Sequence, residues 1–149
     1  MIRVFKHYVP HAVLLLGVLD FILLVCSAEA AWVIRAHEID MHVDYVLNRL
    51  PALLSFAVAV QIALVAVGVY GNEALQSLRF AVARLLVAIA LGVIFHSVLY
   101  FLTPELTLWR SNTLYAMIIA TFLLILIRML LGSMFDGAVF KRRIMVLGA

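Results

Sequence analysis

The run FAVARLLVAIALGVIFHSVLYFL, Phe80–Leu102, decides the fold. Arg84 is its only full charge, and the run exceeds the roughly 20 helical residues needed to cross a bilayer. Three more apolar runs of this kind lie near His11–Ile34, Leu50–Tyr70 and Asn112–Phe135. The expectation is an all-α membrane protein built as a four-transmembrane-helix bundle. Pro10, Pro51 and Pro104 fall at the edges of these spans, where a missing amide donor costs least.

Composition points the same way. Of 149 residues, 67% are hydrophobic and 13% charged, with a mean hydropathy of +1.18. Soluble domains sit nearer half apolar and a quarter charged, so this chain belongs to the membrane class. The net charge is +3, but the basic residues flank the spans and form no separate basic face, which argues against a nucleic-acid partner. A single cysteine, Cys26, excludes an intrachain disulfide framework.

Basic residues also set the orientation. Arg3 and Lys6 precede the first span, Arg79 and Arg84 sit at the second turn, and Arg128, Lys141, Arg142 and Arg143 lie towards the end. The first loop carries Glu38, Asp40 and Asp44 against Arg35 and Arg49, and the third has Glu105 with Arg110. Cytoplasmic flanks collect Lys and Arg, so both termini are expected in the cytoplasm. Tyr8, Trp32, Tyr45, Tyr70, Tyr100 and Trp109 are placed as interfacial aromatic belts. Arg3 and Lys6 before an apolar run that reaches Ala28-Glu29-Ala30 also suit a cleavable signal sequence. Asp20 interrupts that run, however, and its length favours an uncleaved span.

Ionisable or amide side chains inside a span are costly and turn towards the bundle interior. Asp20, Gln61, Arg128, Glu29 and His96 are the candidates. Counting helical rise puts Asp20 and Arg128 at a common depth of about 10–12 Å, with Gln61 at a similar level. Glu29 and His96 match near the opposite side. These pairings, or snorkelling of Arg128 and Glu29 to the headgroups, are favoured over an ion pathway, which usually brings broken helices or denser charge. Small residues recur every fourth position at Ser55, Ala59 and Ala63, and at Ala88 and Gly92 in register with Arg84 and His96, which suggests close helix packing. Packing within the chain is the favoured use of these seams, and a homodimer contact the sharper one. In the first loop, Ile39, Val43, Val46 and Leu47 recur at helical spacing and predict a short amphipathic cap.

Catalytic signatures are missing. Cys26 has no histidine placed to activate it, and His37-Glu38 lacks the second histidine of a helical zinc-protease motif. No catalytic, cofactor-binding or metal-binding residue is assigned, and no cofactor is expected. Lys141, Arg142 and Arg143 read as a membrane-edge basic anchor, and Ile144–Leu147 as a buried strand running into Gly148. Residues 1–140 are thus expected to form the four-span membrane domain. Residues 141–149 would open a cytoplasmic Rossmann-like domain that the chain does not complete.

Met1-Ile2-Arg3-Val4-Phe5-Lys6-His7-Tyr8-Val9-Pro10 resembles the start of bacterial polyprenyl glycosylphosphotransferases, closest to the exosortase-associated (PEP-CTERM) exopolysaccharide branch. Val67-Gly68-Val69-Tyr70, Leu78-Arg79, Arg84-Leu85-Leu86 and Phe140–Ala149 follow the same pattern. The resemblance implies a sugar transferase anchored in the bacterial inner membrane. Such an enzyme moves a sugar-1-phosphate from a nucleotide sugar to polyprenyl phosphate, with its catalytic part outside this chain. It also implies the lipid bilayer and polyprenyl phosphate as partners, with homodimer contacts as a further implication. The anchor of a membrane-bound nucleotide-sugar 4,6-dehydratase and a free-standing four-helix scaffold are the alternatives.

Overall fold

A computed structural model describes residues 2–4, 7–9, 11–42, 45–71 and 77–134. Four long helices dominate it: α1 (His11–Glu38), α2 (Val46–Ala66), α3 (Leu78–Leu102) and α4 (Arg110–Met134), with a 3-10 turn at Pro104–Leu106. All four are long and apolar enough to cross a membrane. The architecture is all-helical, and ahead of the helices Ile2–Val4 pairs briefly with His7–Val9 in antiparallel fashion. The basic anchor Lys141, Arg142 and Arg143 and the expected strand at Ile144–Leu147 lie outside the described residues.

The helices form a ring in chain order. α1 packs most closely on α4 and α2 on α3, while α1–α2 and α3–α4 close the circle. Neighbours are antiparallel: Arg49 meets Glu29 while Gln61 meets Gly17, and Arg128 meets Asp20 while Tyr115 meets Glu38. Each helix buries one stripe at three- and four-residue steps. On α1 it runs Leu16, Asp20, Leu24, Ser27, Ala28 and Ala31; on α4 it runs Asn112, Ala116, Ala120, Leu124 and Arg128. The opposite faces are just as apolar: Leu15, Ile22, Phe101 and Phe122 point outward, the pattern of helices solvated by lipid.

The helix ends differ from the sequence reading in ways that matter. α1 continues past Ile34 to Glu38, where Arg35 Nη1 meets Glu38 Oε2 at 2.8 Å and the Tyr115 hydroxyl donates to the same carboxylate. It stops where Asp40 takes a left-handed φ of 50° and the Met41 N–H returns to the Ala36 carbonyl. Of the residues expected to form a separate amphipathic cap, Ile39 lies in the turn that follows α1, while Val46 and Leu47 open α2. Val43 lies outside the described residues. Pro51 falls inside α2 rather than at its edge. It deprives the Leu47 carbonyl of its helical donor, at an end where Leu47 is 80% exposed.

α2 also ends earlier, at Ala66, in a Schellman motif. The Val69 N–H bonds the Leu64 carbonyl at 3.1 Å, the Gly68 N–H bonds Val65 at 3.0 Å, and Gly68 adopts φ 72°. Val69 and Leu64 are both fully buried, the apolar contact that accompanies this cap. Arg84 Nη1 donates to the Gly68 carbonyl at 3.0 Å and secures the turn against α3. Gly68→Ala is expected to destabilise the protein by about 1–2 kcal/mol, the cost of a side chain in left-handed backbone. Thermal unfolding followed by circular dichroism in detergent checks this, and Gly68→Asn should lose less.

Candidate functional site, a buried polar cluster

The Schellman turn folds Tyr70 back into the bundle instead of leaving it at a membrane interface. There it meets the stripe positions of α1 and α4. Asp20, fully buried, follows Leu16 and precedes Leu24 on the α1 stripe; Arg128, 6% exposed, follows Leu124 on the α4 stripe. Both charges lie on the buried stripe of their helix and have no route outward. They face each other, with Arg128 Nη2 2.7 Å from Asp20 Oδ2. The Tyr70 hydroxyl donates to the same oxygen at 2.8 Å. Gln61 Nε2 donates to the Tyr70 hydroxyl at 3.0 Å and to the Gly17 carbonyl at 3.3 Å. The Arg128 guanidinium also lies 5.8 Å from the Tyr70 ring centre, a cation–π distance.

The cluster therefore ties α1, α2, the α2–α3 turn and α4 at one level. Gln61 reaches Asp20 through Tyr70 rather than directly. Tyr70 is the member that sequence reasoning placed elsewhere, in an aromatic belt. The signal for it was local: Gly68 two residues before it, at the end of an apolar run, marks a helix stop that turns the chain inward. Tyr70→Phe removes the donor to Asp20 and the acceptor for Gln61. A loss of about 1–3 kcal/mol is expected, with the fold kept, measured as a shift in the denaturation midpoint.

A second ion pair lies towards the opposite end of the bundle, and it corrects a pairing expected from the sequence. Glu29 does not meet His96: Arg49 Nη2 donates to Glu29 Oε1 at 2.7 Å. Arg49, read from sequence as a loop residue, is 5% exposed because α2 starts a turn earlier than its apolar run. Its guanidinium lies 5.4 Å from the Trp32 ring centre, and Trp32 in turn packs against Trp109 at 6.0 Å. His96 is buried instead against Phe56, edge to face, at a centroid distance of 5.6 Å.

Gly92 of the α3 seam packs within the chain, against Val60 of α2. A Cβ on Gly92 would lie 3.1 Å from Val60 Cγ2 and 3.3 Å from its Cα, so α3 and α2 touch nearly backbone to backbone. Ala59, Ala63 and Ala88 are likewise buried. Ser55 Oγ reaches across to the Leu106 carbonyl of the 3-10 turn at 2.6 Å.

Chemically, these arrangements bind helices to one another. Among the described residues, no three His, Cys, Asp or Glu side chains converge as a metal site. Cys26 is exposed on the outer face of α1. No protein-family model, curated protein or solved structure matches the chain.

Proposed function

We propose that the bundle is the membrane anchor of a polyprenyl glycosylphosphotransferase, holding a sugar-1-phosphate transferase beside polyprenyl phosphate in a bacterial inner membrane. The observation that carries this reading is the resemblance of Met1–Pro10, reinforced by Val67–Tyr70 and Arg84–Leu86. Two of the resembling segments have structural duties: Val67–Tyr70 forms the helix stop that seats Tyr70, and Arg84 holds that stop in place. Four helices of spanning length supply what an anchor needs. By sequence, Arg3, Lys6, Arg79, Arg84, Arg128, Lys141, Arg142 and Arg143 fall towards one side and only Arg35, Arg49 and Arg110 towards the other, a bias that supports an orientation with the start of α1 and the end of α4 in the cytoplasm. Nucleotide sugars are found on that side, so the orientation suits the proposed donor.

The anchor's part in this reading is positional, and the transfer chemistry belongs to residues elsewhere in the enzyme. Sequencing the gene past the codon for Ala149 is expected to reveal a continuing frame for a nucleotide-binding fold followed by a sugar-phosphate transferase domain. A nucleotide-sugar dehydratase domain would replace this reading with a different anchored enzyme. An immediate stop codon would favour a free-standing scaffold. In vesicles containing polyprenyl phosphate, the purified chain should transfer no radiolabelled sugar phosphate; transfer by the chain alone would contradict a purely anchoring role.

A further inference from the structure

The hydrogen bonds of the buried cluster are lopsided. Arg128 Nη2 and the Tyr70 hydroxyl both serve Asp20 Oδ2. Asp20 Oδ1, Gln61 Oε1, and Arg128 Nε and Nη1 are buried with no protein partner. Asp20 is fully buried and Arg128 6% exposed, so lipid headgroups and bulk solvent do not satisfy these atoms. Polar groups left unmatched in a bundle interior are strongly unfavourable, and in a membrane no solvent lies within reach by default.

The unmatched atoms define the chemistry of what would complete them. Arg128 offers N–H donors, whereas Asp20 and Gln61 offer acceptors, so the occupant must accept from one side and donate to the other. An anion would satisfy Arg128 but face the Asp20 carboxylate. A cation would satisfy Asp20 but face the guanidinium. The ion pair is already neutral as a unit, and a small neutral molecule with both donor and acceptor capacity fits it. We propose that this cluster is an internal hydration site, in which water accepts from Arg128 Nε or Nη1 and donates to Asp20 Oδ1 or Gln61 Oε1. Buried waters typically make about three hydrogen bonds to groups of this kind. Water then becomes a structural component of the bundle, completing a polar joint among α1, α2 and α4. The proposal stands independently of the enzyme to which the bundle belongs.

Water-edited solid-state NMR on the full chain, 15N-labelled and reconstituted in phosphatidylcholine vesicles, tests it. The Arg128 Nε signal, assigned by its loss in Arg128→Lys, should gain water magnetisation several-fold faster than the Phe56 amide in the dry core. Gln61→Leu should slow that gain while leaving the Asp20–Arg128 pair. Build-up at Arg128 as slow as at Phe56 would overturn the proposal. So would a shift of the Arg128 Nε resonance when chloride is exchanged for gluconate, which would identify a bound anion. The wild-type comparison decides the matter even if Gln61→Leu fails to fold.

Discussion

Arg128→Met is expected to cost about 3–5 kcal/mol of stability, the range for breaking a buried ion pair by removing one partner. The loss would arise mainly from what remains, with Asp20 fully buried and dependent on Tyr70 for its hydrogen bond. Asp20→Leu combined with Arg128→Met removes both charges and should recover most of that loss, because two apolar side chains suit this stripe. The pair thus contributes less to net stability than its short contact suggests. It makes one arrangement of α1 and α4 preferable to rotated alternatives. Denaturation midpoints of the single and double variants, followed by helical circular dichroism in one detergent, measure the coupling. A single-variant loss below about 1 kcal/mol would mean the pair behaves like an exposed one.

Gly92→Leu should be the second large effect. The Cβ alone falls 3.1–3.3 Å from Val60, and the Cα of Val60 cannot rotate away as a side-chain tip would. Gly92→Ala can be absorbed by a few tenths of an ångström of helix displacement. Leucine forces α2 and α3 apart, and overpacking of this kind typically costs about 1–3 kcal/mol. The separation would also disturb His96 on Phe56, which sits one turn along the same contact. A lowered denaturation midpoint for leucine, with alanine close to wild type, is the expected result. Equal midpoints for all three would show that the helix contact is looser than the structure gives.

Much of the architecture is written in the chain at low resolution. Four apolar runs separated by charged or proline-marked breaks specify four helices, since backbone groups in lipid must be satisfied within the segment. Their ends were harder to read. Arg49 has the composition of a loop residue, yet the helix takes it in because Glu29 is there to receive it. Glu38 likewise prolongs α1 with help from Arg35 and from Tyr115, a partner 77 residues away. Tyr70 looked like a belt aromatic, because its inward turn depends on Gly68 taking a left-handed conformation.

The number of helices, and the shared level of Asp20, Gln61 and Arg128, could be read from the chain alone. Depth follows from counting 1.5 Å per residue. Only the tertiary structure decided which way each helix turns, and hence that Arg49 rather than His96 answers Glu29 and that Tyr70 joins Asp20 and Arg128. The physical reason is the solvent. In water an apolar stripe announces the buried face, but lipid is as apolar as the core, so Leu15 facing out and Leu16 facing in carry the same signature. What orients the helices is the fit of small residues such as Gly92 and the partners of a few buried polar groups, and both are properties of pairs of segments.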